Sequence, residues 1–115
     1  MPSFLVSDAE SRGIKRAVLN QAASGTAQTL VAAVTGKRIR VLAAFAVAGA
    51  TATNLTFNSA SNAISPLLAN AANGGEVLPF NPAGWFQTVA GEALTVTTGA
   101  GSTTGIGVVY VEVNA

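Results

Sequence analysis

Histidine and cysteine are absent from this 115-residue chain, and its carboxylates number only five: Asp8, Glu10, Glu76, Glu92 and Glu112. Metal centres, thiol nucleophiles and acid–base pairs draw on those side chains. The default reading is therefore a structural or binding protein, not an enzyme, with no cofactor and no metal. Glu92 and Glu112 are the only carboxylates near strand ends in the C-terminal part, and nothing in the pattern brings them together. Charge is scarce as well: 10% of residues are charged against 50% hydrophobic, where an ordinary soluble domain carries about 25% charged residues. A surface so poor in charge asks for a cover. Long apolar runs are missing too, because the charge-free stretch from Val41 to Gly75 is interrupted by Thr, Asn, Ser and Pro66, which excludes a membrane-spanning helix. The first residues, Met1-Pro2-Ser3-Phe4-Leu5-Val6, lack a basic leader and are followed at once by Asp8 and Glu10. Synthesis in a cytoplasm is the expectation, and the lack of cysteine agrees with it.

What is present reads as one domain, long enough to bury a core without disulfide or metal staples. Residues 1–13 show mixed polarity with no sustained period and read as an N-terminal arm, ending at the break Ser11-Arg12-Gly13. A short helix over 7–16, capped by Ser7 with Glu10 three residues on, is the competing reading. Phe4, Leu5 and Val6 suit either a segment that orders against a partner or neighbouring subunit, or an end folded back on its own domain.

Residues 14–115 read as strands. Ile14 to Gln21 and Thr26 to Val34 flank a small-residue loop. Lys37 to Val47 follows, with Ile39, Val41, Ala43, Phe45 and Val47 alternating onto one face. Thr51 to Ser59 alternates Leu55 and Phe57 against Asn54, Thr56 and Asn58. Ser61 to Leu68 contains Pro66, which belongs at an edge or strand end. The segment 69–85, rich in Asn, Gly and Pro, reads as a long loop around Val77-Leu78. Trp85 to Val89, Glu92 to Thr98 and Ile106 to Val113 complete about eight strands. The expected fold is an all-β, antiparallel, jelly-roll-like sandwich. In the last strand Ile106, Val108 and Tyr110 occupy one face while Gly107, Val109, Val111 and Val113 occupy the other. A sandwich buries one face of each sheet, so the second apolar face needs a cover. Another copy of the chain packed through Ile106, Val108 and Tyr110 is the expected cover; loop 69–85, with Phe80, Trp85 and Phe86, is the alternative.

The succession Lys37-Arg38-Ile39-Arg40-Val41-Leu42, Leu55-Thr56-Phe57-Asn58-Ser59, Ile64-Ser65-Pro66-Leu67, Gly84-Trp85-Phe86-Gln87-Thr88, Gly91-Glu92-Ala93-Leu94 and Val109-Tyr110-Val111-Glu112-Val113 resembles small β-sandwich capsid decoration, or cement, proteins of tailed bacteriophages. The resemblance covers the body from Lys37 onward and leaves the arm unmatched. It implies a homotrimer on the outer surface of the capsid, in contact with the major capsid protein and stabilising the head. Candidate capsid or subunit contacts are Phe4, Leu5, Val6, Arg12, Arg38 and Arg40. The alternative function is a tail-fibre, head-fibre or baseplate module binding a host glycan or another virion protein.

Other motifs carry less. Gly99 to Gly105 resembles a phosphate-cradling loop in its glycines but lacks the Gly-Lys-Ser/Thr ending and a following helix, so it reads as a strand connector. Lys37, Arg38 and Arg40 lack the interleaved aromatics of a single-strand binder, and neither nucleic acid nor membrane is expected as a partner. Asn54-Leu55-Thr56 fits a glycosylation acceptor only by chance in a chain without a secretory route. Trp85 reads as a plug for the open end of the sandwich, with sugar stacking as the alternative.

Overall fold

Short stretches of alternating polarity, punctuated by Gly, Asn and Pro, fold into strands alone. The computed structural model describes residues 13–22, 24–99 and 103–115, and among these it contains no helix. Its ten strands are β1 (Ile14–Gln21), β2 (Gly25–Val31), β3 (Lys37–Ala48), β4 (Thr53–Ser59), β5 (Asn62–Ala63), β6 (Leu68–Asn70), β7 (Gly75–Leu78), β8 (Phe86–Gln87), β9 (Leu94–Thr98) and β10 (Thr104–Asn114). Sheet A has the order β1-β10-β3-β7, with β8 also on β3, and sheet B the order β2-β9-β4-β5, with β6 also on β4. Every pairing is antiparallel.

The connectivity is nested: the first strand pairs with the last and the second with the last but one. Because β5 and β6 share one flank of β4, and β7 and β8 share one flank of β3, ten strands fill eight positions in two four-position sheets. That arrangement is the jelly roll. Ten strands replace the expected eight where Pro66 and the 79–85 turn interrupt what would be single edge strands, since proline donates nothing to a ladder.

Between the sheets lies the core. Sheet A contributes Ile39, Val41, Ala44, Ala46, Ile106, Val108 and Tyr110, and sheet B contributes Leu30, Val31, Leu55, Phe57, Leu94 and Val96. Burial of each large apolar side chain contributes about 1.5–3 kcal/mol. Phe57 is the largest fully buried side chain, and the Phe86 ring closes over it at 5.2 Å between centroids.

Two expectations are corrected here. In β3, Tyr110 pairs with Val41 and Val109 with Ala43, so Leu42 is an extra residue, a β-bulge. The bulge reverses the alternation: Ile39 and Val41 face the core, but past Leu42 it is Ala44, Ala46 and Ala48 that do, while Phe45 and Val47 point outward and are exposed. Ala43, Phe45 and Val47 therefore do not share a face with Ile39 and Val41. Ile106, Val108 and Tyr110, expected between subunits, are instead core residues, because β10 turns that side toward sheet B. The outward side of β10 carries Gly107, Val109, Val111 and Val113.

Candidate docking face

Register places the outward side chains of sheet A in cross-strand rows. One row runs Ile14, Val111, Arg40 and Gln87, and four residues along β1 another runs Val18, Gly107, Phe45 and Val77. Arg16 and Val109 lie between them, and Val113 and Arg38 beyond the first. The face thus has a cationic end and an apolar end. At the apolar end Val18 is 76%, Val77 72% and Phe45 49% exposed, with Val47 and Phe80 also exposed. A groove of about 220 Å³ runs there between Phe45, Val77, Phe80 and Val109.

Glycine makes the groove possible. A Cβ at Gly107 would overlap the Phe45 ring, so the missing side chain lets that ring lie across β10. Segment 69–85 extends the sheet as β7 at the groove's edge, where Gly75 has no room for a Cβ beneath the Ala46 carbonyl. It does not lie over the face, since Val77 and Phe80 are themselves exposed.

Arg38 and Arg40 are placed together at the cationic end. The Arg40 Nε donates to Gln87 Oε1 at 3.0 Å, and its methylenes lie where a Gly84 side chain would be. An Arg38 guanidinium nitrogen reaches the Thr88 carbonyl at 3.4 Å. Neither arginine meets a carboxylate among the described residues. Phe4, Leu5, Val6 and Arg12 lie outside the described residues.

Among the described residues no carboxylate belongs to this face. Glu112 is ion-paired with Lys15 at 3.2 Å on the other side of sheet A. Glu92 accepts from the Ser59 hydroxyl at 2.5 Å, and the same Ser59 oxygen accepts from the Val89 amide, so the pair ties the 89–92 turn to β4. Ser59 is fully buried, which closes it to any substrate. Glu76, opposite Ala46 on the core side of β7, has its pKa raised by burial, with the Asn70 side chain offsetting part of that rise. Among the described residues no three metal-ligating side chains come together.

Trp85 departs from its expected role as a plug. It is 42% exposed, and its indole N–H donates to the Pro79 carbonyl at 2.7 Å. Phe86 takes the interior place because β8 pairs it with Val41, a core-facing residue. The sequence reading missed the Phe45–Val77 groove, since only the bulge at Leu42 turns Phe45 outward. Its one sequence signal was a glycine inside an otherwise valine-rich strand.

Fold and face together define a jelly-roll sandwich with one outer face that is half apolar and, among the described residues, free of carboxylates. No family model matches the chain, and no curated protein matches it. A solved structure that does match is a cryo-EM structure of the extra small virus particle of the giant freshwater prawn Macrobrachium rosenbergii. The match has 14% identity and a TM-score of 0.41, covering 87% of this chain and 79% of that one. A likeness of that degree carries no argument about what this chain does.

Proposed function

We propose that the protein is a structural component of a bacteriophage virion that binds the outer surface of the head as a homotrimer and stabilises it. The observation that carries the reading is the outer face of sheet A. A finished sandwich has no need of exposed Phe45, Val77 and Phe80 beside Arg16, Arg38 and Arg40, and a contiguous apolar patch rimmed by polar groups marks a protein contact. The resemblance of the body to decoration proteins supports the same role. Internal pressure loads the junctions between capsomers, and a trimer bringing three such faces to one junction gains avidity from contacts that are individually weak.

A second reading, a fibre or baseplate module that binds a glycan, draws on one observation: Trp85 and Phe80 are both exposed at the β7–β8 turn, where aromatic faces stack on sugar rings. Quantitative mass spectrometry of purified virions separates the two. The decoration role predicts a copy number close to that of the major coat protein. A few dozen copies or fewer, with glycan binding that is lost in Trp85→Ala, transfers the chain to the fibre reading, and absence from virions overturns both.

A further inference from the structure

The outer face of sheet A specifies its own occupant by charge. Among the described residues it presents Arg16, Arg38 and Arg40 at one end, an apolar groove at the other, and no carboxylate. A second copy of the same face offers no acid in any orientation, so face-to-face pairing leaves the cations unmatched. The body's three acids are engaged elsewhere: Glu112 by Lys15, Glu92 by Ser59, and Glu76 on the core side. The two remaining acids of the chain, Asp8 and Glu10, lie in residues 1–12 together with the apolar run Phe4-Leu5-Val6.

Order and length agree with charge. β1 begins at Ile14 in the row of Arg40 and runs toward the row of Phe45 and Val77. Asp8 and Glu10, four to six residues before Ile14, reach at most about 20 Å, which covers the cationic end. The groove lies about 13 Å further along the strands and about 12 Å across them, or about 18 Å in a straight line. Val6, eight residues before Ile14, reaches about 27 Å. Gly13, just before β1, has a φ of +76°, a left-handed conformation that glycine adopts freely and that permits a sharp turn there.

We propose that the outer face of sheet A is the docking site of this chain's own residues 1–12, with Phe4, Leu5 and Val6 in the groove beside Phe45 and Val77, and Asp8 and Glu10 against Arg16 and Arg40. The proposal rests on reading that face as a protein contact and not on the virion. A capsid or neighbouring copy that uses the face then packs over the segment or displaces it.

The natural absence of cysteine makes the test direct. In purified protein at low micromolar concentration, Leu5→Cys combined with Val77→Cys forms an intramolecular disulfide under mild oxidation. Its yield is independent of protein concentration and at least tenfold above that of Leu5→Cys combined with Asn62→Cys, which lies on the far edge of sheet B. Asp8→Lys with Glu10→Lys lowers the rate several-fold. Deletion of residues 1–12 leaves a cooperatively unfolding domain whose 43–47 and 75–80 amides exchange faster. Covalent dimers that grow with concentration assign the segment to a neighbouring copy and overturn the proposal. So does a yield equal to the control, or exchange unchanged by the deletion. None of these readouts involves phage heads, so a failure to find the protein in virions leaves the proposal standing, and the reverse also holds.

Discussion

Gly75 and Gly107 both line the underside of the candidate face, yet they answer to substitution differently because of what each would strike. At Gly75 an added Cβ meets the Ala46 carbonyl oxygen and comes within 3.0 Å of the Val47 Cα. The backbone at Ala46 and Val47 is paired with β10 on its other side and has nowhere to go, so Gly75→Ala costs about 1–3 kcal/mol. At Gly107 the obstacle is the far end of the Phe45 ring, which swings outward. Gly107→Ala therefore costs less stability while rearranging the groove. Chemical denaturation of the two variants tests the contrast: a midpoint shift clearly larger for Gly75→Ala than for Gly107→Ala is expected, and equal shifts would contradict it.

Among the elements, β8 is the one whose position depends most on a single side chain. It is two residues long, too short to hold itself by ladder bonds. The following Thr88 clamps it: its amide donates to the Ile39 carbonyl at 3.0 Å and its hydroxyl accepts from the Ile39 amide at 2.9 Å, both out of reach of water. Thr88→Val removes the acceptor and leaves the Ile39 amide buried and unpaired, a loss of about 1–3 kcal/mol. Thr88→Ser restores most of it, a pair of outcomes that thermal unfolding distinguishes. At this scale β1, β2, β3, β4, β9 and β10 were legible in the sequence as short runs rich in β-branched and aromatic residues set off by small-residue and glycine turns. The bulge at Leu42 was not, since a bulge is a relation between two strands and β3 alone shows an unbroken period of two. β7 was hidden inside a segment whose Asn, Gly and Pro residues signal loop. Its pairing with β3 depends on Gly75 allowing close approach. The sequence reads Trp85 as the inward residue because adjacent residues in a strand point to opposite sides, and only the register of Phe86 with Val41 decides which points in. The period of two puts Arg38 and Arg40 on one face of β3, but their pairing with Thr88 and Gln87 needs the return of β8.

For the molecule as a whole, Glu76 couples stability to pH. Burial raises its pKa above the ordinary carboxylate value, so the folded chain holds this proton more tightly than the unfolded chain. Folding is then favoured while the group is protonated, and stability declines as pH rises from the unfolded value through the raised folded one. Glu76→Gln removes that decline and leaves the variant more stable than the parent at pH 7. Unfolding free energies measured between pH 4 and pH 8 should fall less steeply for the variant than for the parent, and parallel curves would count against the assignment. The nested connectivity has a consequence of another kind. Lys15 and Glu112 are 97 residues apart in sequence yet joined, and β10 lies between β1 and β3. Until β10 has left the ribosome, sheet A has no centre and β1 and β3 each present a bare edge. Completion of sheet A waits on β10 and is slow for the size of the chain, because the loop-closure entropy of remote pairings must be met before their contacts reward it. Nascent chains are then exposed to edge-to-edge aggregation until β10 is made, a hazard that grows with the rate at which copies are produced.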